Sequence, residues 1–319
     1  MLLIDFTCSI AMIFMSKQIL YWLEGESVKT AIITGATGFV GVHLVEELQS
    51  HNVDVTALCR EGSQNMDRLP PGVETAYHLD DLPSADVFYH LAWEGASGIG
   101  RGDATLQARN AELTLHSLLA AHRLRCSRFV ALGTIYENFA SQIKASATSG
   151  SADFYILSKE YAHSMANQLA YKVDMDFVWC KICHPIGRFI KPEQMMAFVI
   201  SSLLAGVKPS FGPALTSYDI IAVEDVAQGL YLVGCCESLT KWEYYIGSGF
   251  PQPLYKWLEE TRNILDVNVP IGIGEKPDDR LQFDENWFDI MPLATETGYA
   301  PTVSFARAVD NVARWVKHK

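Results

Sequence analysis

The stretch TGATGFVG at residues 34–41 decides the fold of this chain. It follows a short apolar run, residues 29–33, that predicts a strand, and it opens an amphipathic run, residues 39–49, that predicts a helix. A glycine-rich turn from a strand into a helix is typical of the first unit of an open α/β sheet that binds nucleotides. The alternative is a tight strand-to-helix turn that holds no ligand.

Three glycines of this stretch have separate roles. Gly35 permits the tight turn, Gly38 lets the backbone approach a pyrophosphate, and Gly41 lets helix and strand pack closely. The helix N-terminus offers N–H groups without intrahelical partners to phosphate oxygens. We therefore predict that a dinucleotide binds to the loop formed by Gly35, Thr37, Gly38, Phe39, Val40 and Gly41.

Beyond this loop, apolar and amphipathic runs alternate. Strands are predicted at residues 53–59, 86–91, 129–132 and 175–182, and helices at 106–124 and 155–171. Strands separated by helices form a parallel sheet covered on both faces. After residue 184 the regular alternation of predicted strands and helices ends, and helices are predicted at 195–204, 226–233 and 254–265. We predict a doubly wound Rossmann α/β domain over residues 28–183, followed at 184–319 by a smaller C-terminal, mainly substrate-binding lobe that interleaves with the sheet.

The composition excludes several classes of function. The chain has 319 residues, 49 % of them hydrophobic, and a formal net charge of −12. This chain is too apolar for a disordered protein, and it lacks the positive field that non-specific nucleic-acid binding requires. Seven widely spread cysteines do not indicate a disulfide framework. We expect a cytoplasmic protein with reduced thiols, among them Cys180 and Cys183, which a three-residue offset in a strand points to opposite faces.

Residues 1–27 precede all the predicted elements. Their apolar run, broken by Asp5, is shorter than the roughly 20 residues of a membrane-spanning helix, and they lack the features of a secretory signal. Three interpretations stay open: a short helix that docks on the domain, an interfacial anchor, and an extension upstream of the true start. We expect no firm membrane association.

The end of the second predicted strand, Leu58-Cys59-Arg60, bears on the choice of cofactor. An acidic side chain at this place accepts a hydrogen bond from a ribose 2′-OH, whereas an Arg accommodates a 2′-phosphate. Here Glu61 comes one position late, and Arg60 carries the planar fork that suits phosphate. We predict that Arg60 favours NADP(H) over NAD(H), the alternative being an ordinary surface Arg.

Tyr155 and Lys159 form a candidate catalytic pair, because residues four apart share one face of a helix. A nearby ammonium lowers the pKa of a phenol, and such a phenol can exchange a proton with a substrate C–OH during hydride transfer. Thr134 lies just past the strand at 129–132, where it can hydrogen-bond the same substrate oxygen. The alternatives are an exposed pair that opens a helix and an ordinary turn threonine.

These motifs together resemble the extended short-chain dehydrogenase/reductase superfamily, in particular the NAD-dependent epimerase/dehydratase family. The resemblance runs from residue 28 to the C-terminus and rests on the glycine loop, Thr134, Tyr155 and Lys159, and on later segments. These segments are HLA at 90–92, HPIG at 184–187, DIIAVEDVA at 219–227, GSG at 247–249 and TGYAP at 297–301.

The resemblance implies a nicotinamide dinucleotide and, for most members, a nucleotide-sugar substrate. It implies Tyr155 as the acid/base, Lys159 as the ribose ligand that tunes the phenol, and Thr134 as the partner of the substrate hydroxyl. It adds Leu91, Ala92 and Pro185 to the cofactor contacts and implies no metal.

Departures from the family pattern bear on the substrate. Ile135 and Tyr136 follow Thr134 where sugar dehydratases carry acidic residues, which predicts against 4,6-dehydration. Three positions that grip the substrate diphosphate in relatives also differ, and at these we predict substrate contacts: His184 replaces an Asn, and Tyr218 and Lys276 each replace an Arg. Losing a bidentate Arg weakens phosphate recognition.

The predicted function is therefore an NAD(P)-dependent oxidoreductase or epimerase that acts on a sugar hydroxyl or ketone. We expect the substrate to be a nucleoside diphosphate sugar, although a smaller carbohydrate stays open, and we consider a homodimer as the assembly. The alternative is a non-catalytic NADP(H)-binding sensor of the same fold.

Overall fold

The computed structural model of the chain describes residues 28–146, 149–277 and 282–317. The interpretations offered for residues 1–27 lie outside these described residues. Within the described ranges, no helix is long and apolar enough to cross a membrane. The same residues contain no group of three or more His, Cys, Asp or Glu side chains placed to hold a metal ion.

The described residues form strands and helices that alternate through the first half of the chain. The strands are β1 Thr30–Thr34, β2 Asp54–Leu58, β3 Glu74–Ala76, β4 Val87–His90, β5 Arg128–Thr134, β6 Asp176–Ile182, β7 His184–Ile186, β8 Ser217–Tyr218, β9 Ile220–Ala222, β10 Glu243–Tyr245 and β11 Gln252–Pro253. The helices are α1 Phe39–Ser50, α2 Ala104–Arg123, α3 Ala140–Lys144, α4 Asp153–Val173, α5 Met195–Leu204, α6 Val223–Cys235, α7 Leu254–Ile264, α8 Met291–Thr297 and α9 Phe305–Lys317.

The main sheet has seven strands in the order β10-β6-β5-β4-β1-β2-β3. Every pairing within it is parallel. The order reverses between β1 and β4, which places a ligand crevice beyond the carboxyl ends of these strands. The predicted doubly wound Rossmann sheet is confirmed.

Two helical layers cover this sheet. Helices α1 and α6 pack against each other on one face, and α2 and α4 do so on the other. Leu44 and Leu230 belong to the first apolar layer, and Leu118 and Ala166 belong to the second. Complete burial of a Leu side chain contributes about 1.5–3 kcal/mol, so these layers fix the sheet and the loops at its carboxyl edge.

The C-terminal half both extends the sheet and builds a separate apolar cluster. Strand β10 pairs with β6, with Tyr244 opposite Cys180. Two small sheets, β7 with β9 and β8 with β11, lie outside the main sheet. A second core formed by α5, α7 and α9 packs around them. The domain boundary at residue 183 stays a prediction.

The cysteines follow the sequence-based expectation. All those that the structure describes are unpaired. Cys180 lies in the core under α1 and α6, whereas Cys183 lies in the core of the C-terminal half. Burial raises the pKa of both thiols well above the ordinary value, so both are packing residues in the neutral form.

Candidate active site

The glycine loop has the geometry that a bound diphosphate requires. Gly35 has a φ of +75°, and a Cβ on it would lie 2.8 Å from the backbone nitrogen of Ala92. A Cβ on Gly41 would lie 2.1 Å from the Gly35 carbonyl oxygen, so the helix and the turn meet only because both residues are glycines. Gly38 caps α1 without a side chain. The first N–H groups of α1 are thus left for a ligand, and the loop fits a dinucleotide.

The other residues of the loop take different places. Val40 is buried in the core below α1, while Thr37 and Phe39 are half-buried. The Phe39 ring stands edge-on to His43, with centroids 6.2 Å apart. Their positions are compatible with the predicted cofactor contacts at the start of this helix.

The end of β4 is tied to the end of β1. The Thr34 hydroxyl lies 2.9 Å from Nδ1 of His90 and accepts the backbone N–H of Ala92 at 3.2 Å, and the backbone N–H of Leu91 donates to the Thr34 carbonyl at 3.1 Å. Burial, with a smaller effect from the Lys159 charge, lowers the pKa of His90 to about 3, so this imidazole is neutral. Leu91 and Ala92 are thus fixed directly beside the glycine loop.

Arg60, the predicted 2′-phosphate ligand, lies on the surface beyond β2. Its Nη1 donates to Oε2 of Glu94 at 3.0 Å, with 80 % and 58 % of the two side chains exposed. Glu94 in turn is held by its backbone, which exchanges hydrogen bonds of 3.0 and 2.8 Å with the Asn110 side chain. Glu94 was not predicted from the sequence, because it precedes α2 in a loop of irregular pattern.

Tyr155, Thr134 and Arg101 meet at the carboxyl edge of β5. Tyr155 is on the first turns of α4 and is buried, and the guanidinium carbon of Arg101 lies 4.7 Å from the centroid of its ring. Burial raises the pKa of Tyr155, and the Arg101 charge and the Thr134 side chain act in the opposite direction. The structure therefore brings the predicted Thr134 and Tyr155 together and adds Arg101, which sequence reasoning missed.

Lys159 lies one helical turn after Tyr155 and is also buried. Its Nζ donates to the Leu132 carbonyl at 2.6 Å and stands 3.7 Å from the centroid of the Trp93 ring. Burial lowers the pKa of Lys159 to about 7, although Glu137 acts in the opposite direction. The Trp93 ring is perpendicular to that of Tyr155, with centroids 6.3 Å apart. An ammonium held on a carbonyl and an indole is poised between its charged and neutral forms near pH 7.

A second residue that the sequence analysis missed is Glu137, which is buried behind Thr134. Its carboxylate accepts the Thr134 backbone N–H at 2.7 Å and the Trp179 indole N–H at 3.0 Å, and it lies 3.1 Å from Nδ1 of His163. The His163 ring stacks on Trp179 at 4.6 Å. His163 comes four residues after Lys159 on the same helix, and that spacing was an available signal.

The predicted substrate residues are only partly brought together. The Tyr136 hydroxyl lies 3.2 Å from Nε2 of His184, and the His184 ring lies 4.7 Å from that of Tyr218. The Phe283 ring lies 5.1 Å from both Tyr136 and Tyr218. We call Tyr136, His184, Tyr218 and Phe283 the aromatic wall. Burial, with a smaller contribution from the Arg101 charge, lowers the pKa of His184 to about 3, so the wall carries no charge on its imidazole.

The two remaining predicted contacts are less central. Lys276 is exposed and is held through its backbone N–H, which donates to the Phe211 carbonyl at 3.0 Å. Pro185 is buried within β7, opposite Ile221 of β9. The structure thus places Tyr155 and His184 near Arg101 and leaves Lys276 at the surface.

Comparison with known proteins decides the family. The sequence profile of the NAD dependent epimerase/dehydratase family matches residues 31–236. The chain belongs to the NAD-dependent epimerase/dehydratase family. No curated protein sequence matches it significantly.

Solved structures of nucleotide-sugar enzymes share this family fold. UDP-N-acetylglucosamine 4-epimerase from Methanobrevibacter ruminantium M1, solved with UDP-N-acetylmuramic acid, superposes with a TM-score of 0.75 at 20 % identity, over 92 % of this chain and 99 % of that chain. UDP-glucuronic acid 4-epimerase from Bacillus cereus, solved with UDP-glucuronic acid and NAD, gives 0.71 at 19 %, over 91 % and 99 %. The dTDP-glucose 4,6-dehydratase DesIV from Streptomyces venezuelae gives 0.70 at 21 %, over 91 % and 97 %. These likenesses show the Rossmann fold of the epimerase/dehydratase family.

Proposed function

We propose that this member of the epimerase/dehydratase family is an NAD(P)-dependent oxidoreductase or epimerase that acts on a hydroxyl or ketone of a nucleoside diphosphate sugar. The observation that carries the proposal is the phenol of Tyr155, which is buried at the carboxyl edge of the sheet with Thr134 and Arg101 acting on its pKa and the Arg101 guanidinium 4.7 Å from its ring. A nicotinamide dinucleotide, when bound, accepts or returns a hydride. The chain itself has to hold the sugar and move the proton.

Each of these residues has a separate part in the proposed chemistry. The ionised oxygen of Tyr155 takes the proton from the sugar hydroxyl on oxidation and returns it on reduction. Thr134 hydrogen-bonds the same sugar oxygen and keeps it in line with the phenol. Lys159, one turn further along α4, would hold the ribose of the cofactor. The glycine loop of residues 35–41 would hold its diphosphate through backbone N–H groups.

The proposal does not extend to 4,6-dehydration. That reaction needs acidic side chains that face the sugar ring, and Ile135 and Tyr136 occupy the positions after Thr134. Glu137 is buried, and its carboxylate is engaged by Trp179, by His163 and by the backbone N–H of Thr134. Because these hydrogen bonds occupy the Glu137 carboxylate in holding the site together, they support hydride transfer without elimination of water.

Arg60 supports a preference for NADP(H) over NAD(H). It lies just beyond the end of β2, the strand end that meets the adenosine ribose in Rossmann domains. An exposed guanidinium is always charged and can pair with a phosphate in two parallel hydrogen bonds. Since such a cofactor is consumed in net reductions, we favour a ketoreductase over an epimerase that recycles bound NAD.

We also propose a cytoplasmic homodimer. Helices α2 and α4 pack side by side, and both leave large apolar side chains at the surface. They include Leu113 and Leu119 on α2 and Phe154, Tyr161 and Met165 on α4. Because the last three recur at intervals of seven and four residues, they share one face of α4. The same patch on a second copy would cover it in an isologous contact.

The test compares turnover by the wild type and by Tyr155→Phe. The protein is incubated with NAD(P)(H) and UDP-, dTDP- and GDP-linked hexoses or keto-hexoses, and products are separated by chromatography. Loss of a positioned acid/base costs about 10²–10⁴-fold in rate, while cofactor affinity should survive removal of one oxygen. Tyr171→Phe, on an exposed tyrosine near the end of the same helix, is the matched control.

Two outcomes would contradict the proposal. Turnover of Tyr155→Phe within a factor of about three of the wild type would remove Tyr155 from the chemistry. Absence of any turnover, in a protein that native mass spectrometry shows to be loaded with cofactor, would favour a non-catalytic sensor. The products separate the two reaction types, since an epimerase inverts the sugar carbon without net use of cofactor and a ketoreductase consumes it.

A further inference from the structure

Arg101 lies between two tyrosine rings of the candidate active site. Its Cζ stands 4.7 Å from the ring centroid of Tyr155 and 5.2 Å from that of Tyr136. Its Nε donates to the Ala96 carbonyl at 2.9 Å. No carboxylate among the residues that the structure describes forms an ion pair with it. A half-buried guanidinium, which carries its charge at all accessible pH values, thus lies over the rings of both tyrosines.

The segment that carries Arg101 is anchored to α2. The side-chain amide of Gln107 donates to the carbonyls of Gly95 and Gly100 at 3.1 and 2.8 Å, and its oxygen accepts the indole N–H of Trp93 at 2.7 Å. Gln107 is fully buried. The residue directly before Arg101 is therefore fixed by a hydrogen bond to a core side chain, so the position of Arg101 is built into the fold.

Lys159 is engaged elsewhere. Its ammonium donates to the Leu132 carbonyl and lies on the Trp93 ring. Among the groups that act on the pKa of the Tyr155 phenol, Arg101 is the cation, Glu137 is the anion, and Thr134 is a neutral polar neighbour. The ammonium of Lys159, the neutral imidazole of His184 and the phenol of Tyr136, whose ring lies 5.2 Å from the Arg101 guanidinium, are further titratable groups around this corner of the site.

We propose that Arg101 is the residue whose positive charge stabilises the ionised phenol of Tyr155, in the role that the family resemblance gives to Lys159. Arg101 acts through Tyr155 and is therefore a positioning residue for the proton transfer. This inference rests on the proposed role of Tyr155. It leaves Lys159 to the ribose, and it makes the acidity of the phenol depend more on the charge of Arg101 than on the protonation state of Lys159.

The test reads the phenol directly and uses neither cofactor nor sugar, so a failure of the proposed reaction would not affect it. All 13 tyrosines are replaced by 3-fluorotyrosine, whose more acidic phenol titrates at a milder pH. The ¹⁹F resonance of Tyr155 is assigned by its loss in Tyr155→Phe. Its titration midpoint is then measured in the wild type, Arg101→Gln, Arg101→Lys and Lys159→Met.

We expect Arg101→Gln to raise the midpoint by about 1–3 pH units, the usual effect of an opposite charge within about 4–6 Å. Arg101→Lys should restore most of the difference, because it returns the charge. Lys159→Met should change the midpoint less than Arg101→Gln does. Arg109→Gln removes an exposed cation from α2 and is the matched control, for which we expect no change.

Two results would overturn the inference. One is a midpoint in Arg101→Gln equal to that of the wild type, and the other is a larger rise in Lys159→Met than in Arg101→Gln. Should thermal melting show that Arg101→Gln is unfolded, Arg101→Leu removes the same charge and keeps an apolar contact with both tyrosine rings. The same two criteria then apply to Arg101→Leu.

Discussion

The ion pair between Arg60 and Glu94 provides a test of the cofactor preference. If Arg60 binds a 2′-phosphate, Glu94 competes with that phosphate for the same guanidinium. Arg60→Ala should then weaken NADPH binding, whereas Glu94→Gln should strengthen it, because the amide carries no negative charge. Neither change should alter the affinity for NADH, which has no 2′-phosphate.

The magnitudes follow from the exposure of the pair. Its side chains are 80 % and 58 % exposed at a separation of 3.0 Å, and exposed pairs of this kind contribute about 0.2–1 kcal/mol. A hydrogen bond to a charged group contributes about 1.5–3 kcal/mol, so the phosphate displaces Glu94. Arg60→Ala should weaken NADPH about 10- to 150-fold. Glu94→Gln should strengthen it by no more than about fivefold.

The assay is a titration of cofactor fluorescence with NADPH and NADH on the wild type and both variants. Arg123→Ala is the matched control, because Arg123 forms a similarly exposed pair with Asp80 at 2.7 Å on the other end of α2. Equal losses for NADPH and NADH in Arg60→Ala would refute the assignment. So would a Glu94→Gln variant that loses NADH affinity, since Glu94 would then be holding a ribose 2′-OH.

Three further predictions concern other parts of the chain. Folding lowers the pKa of Lys159 from 10.5 to about 7, so between these values the unfolded chain binds more protons and a rise in pH stabilises the folded state. The melting temperature should therefore rise from pH 7 to 9 in the wild type relative to Lys159→Met. Parallel curves for the two proteins would contradict the shift. A chain that begins at Val28 should bind NADP(H) as tightly as the full chain; aggregation or lost binding would show that residues 1–27 belong to the domain. Met165→Glu places a charge on the exposed face of α4 and should yield monomers in analytical ultracentrifugation; a wild-type monomer would reject the homodimer.

Helices and strands were predictable where the apolar residues recur often enough to show the spacing of a helix or of a strand. The helix expected at residues 195–204 coincides with α5, and β5 exceeds its prediction only by Arg128 at one end and Gly133 and Thr134 at the other. Strands β3 and β10 have three residues each, which is too few to show a period. The place of β10 beside β6 depends on a pairing more than 60 residues apart, which no local pattern contains.

The candidate site was predictable in its helical part. Tyr155 and Lys159 are recognisable from their spacing, and His163 continues the same face of α4. Arg101 was not predictable, because it lies in a glycine-containing segment without periodicity. Its position is set by hydrogen bonds from the Gln107 side chain to the carbonyls of Gly95 and Gly100. Glu137 comes three residues after Thr134 in the sequence. Only the three-dimensional structure shows that its carboxylate accepts the backbone N–H of Thr134.

The aromatic wall bears on the thermodynamics of substrate binding. Tyr136, Tyr218 and Phe283 are already packed against one another and largely removed from water. A sugar nucleotide that reached this side of the site would bury little additional apolar surface, so we expect a small heat-capacity change in calorimetry. Tyr218 is a neutral ring at a position where the family resemblance implies an Arg, and screening by salt acts on charges. The affinity on this side of the site should therefore vary less with ionic strength than it would with an Arg at residue 218.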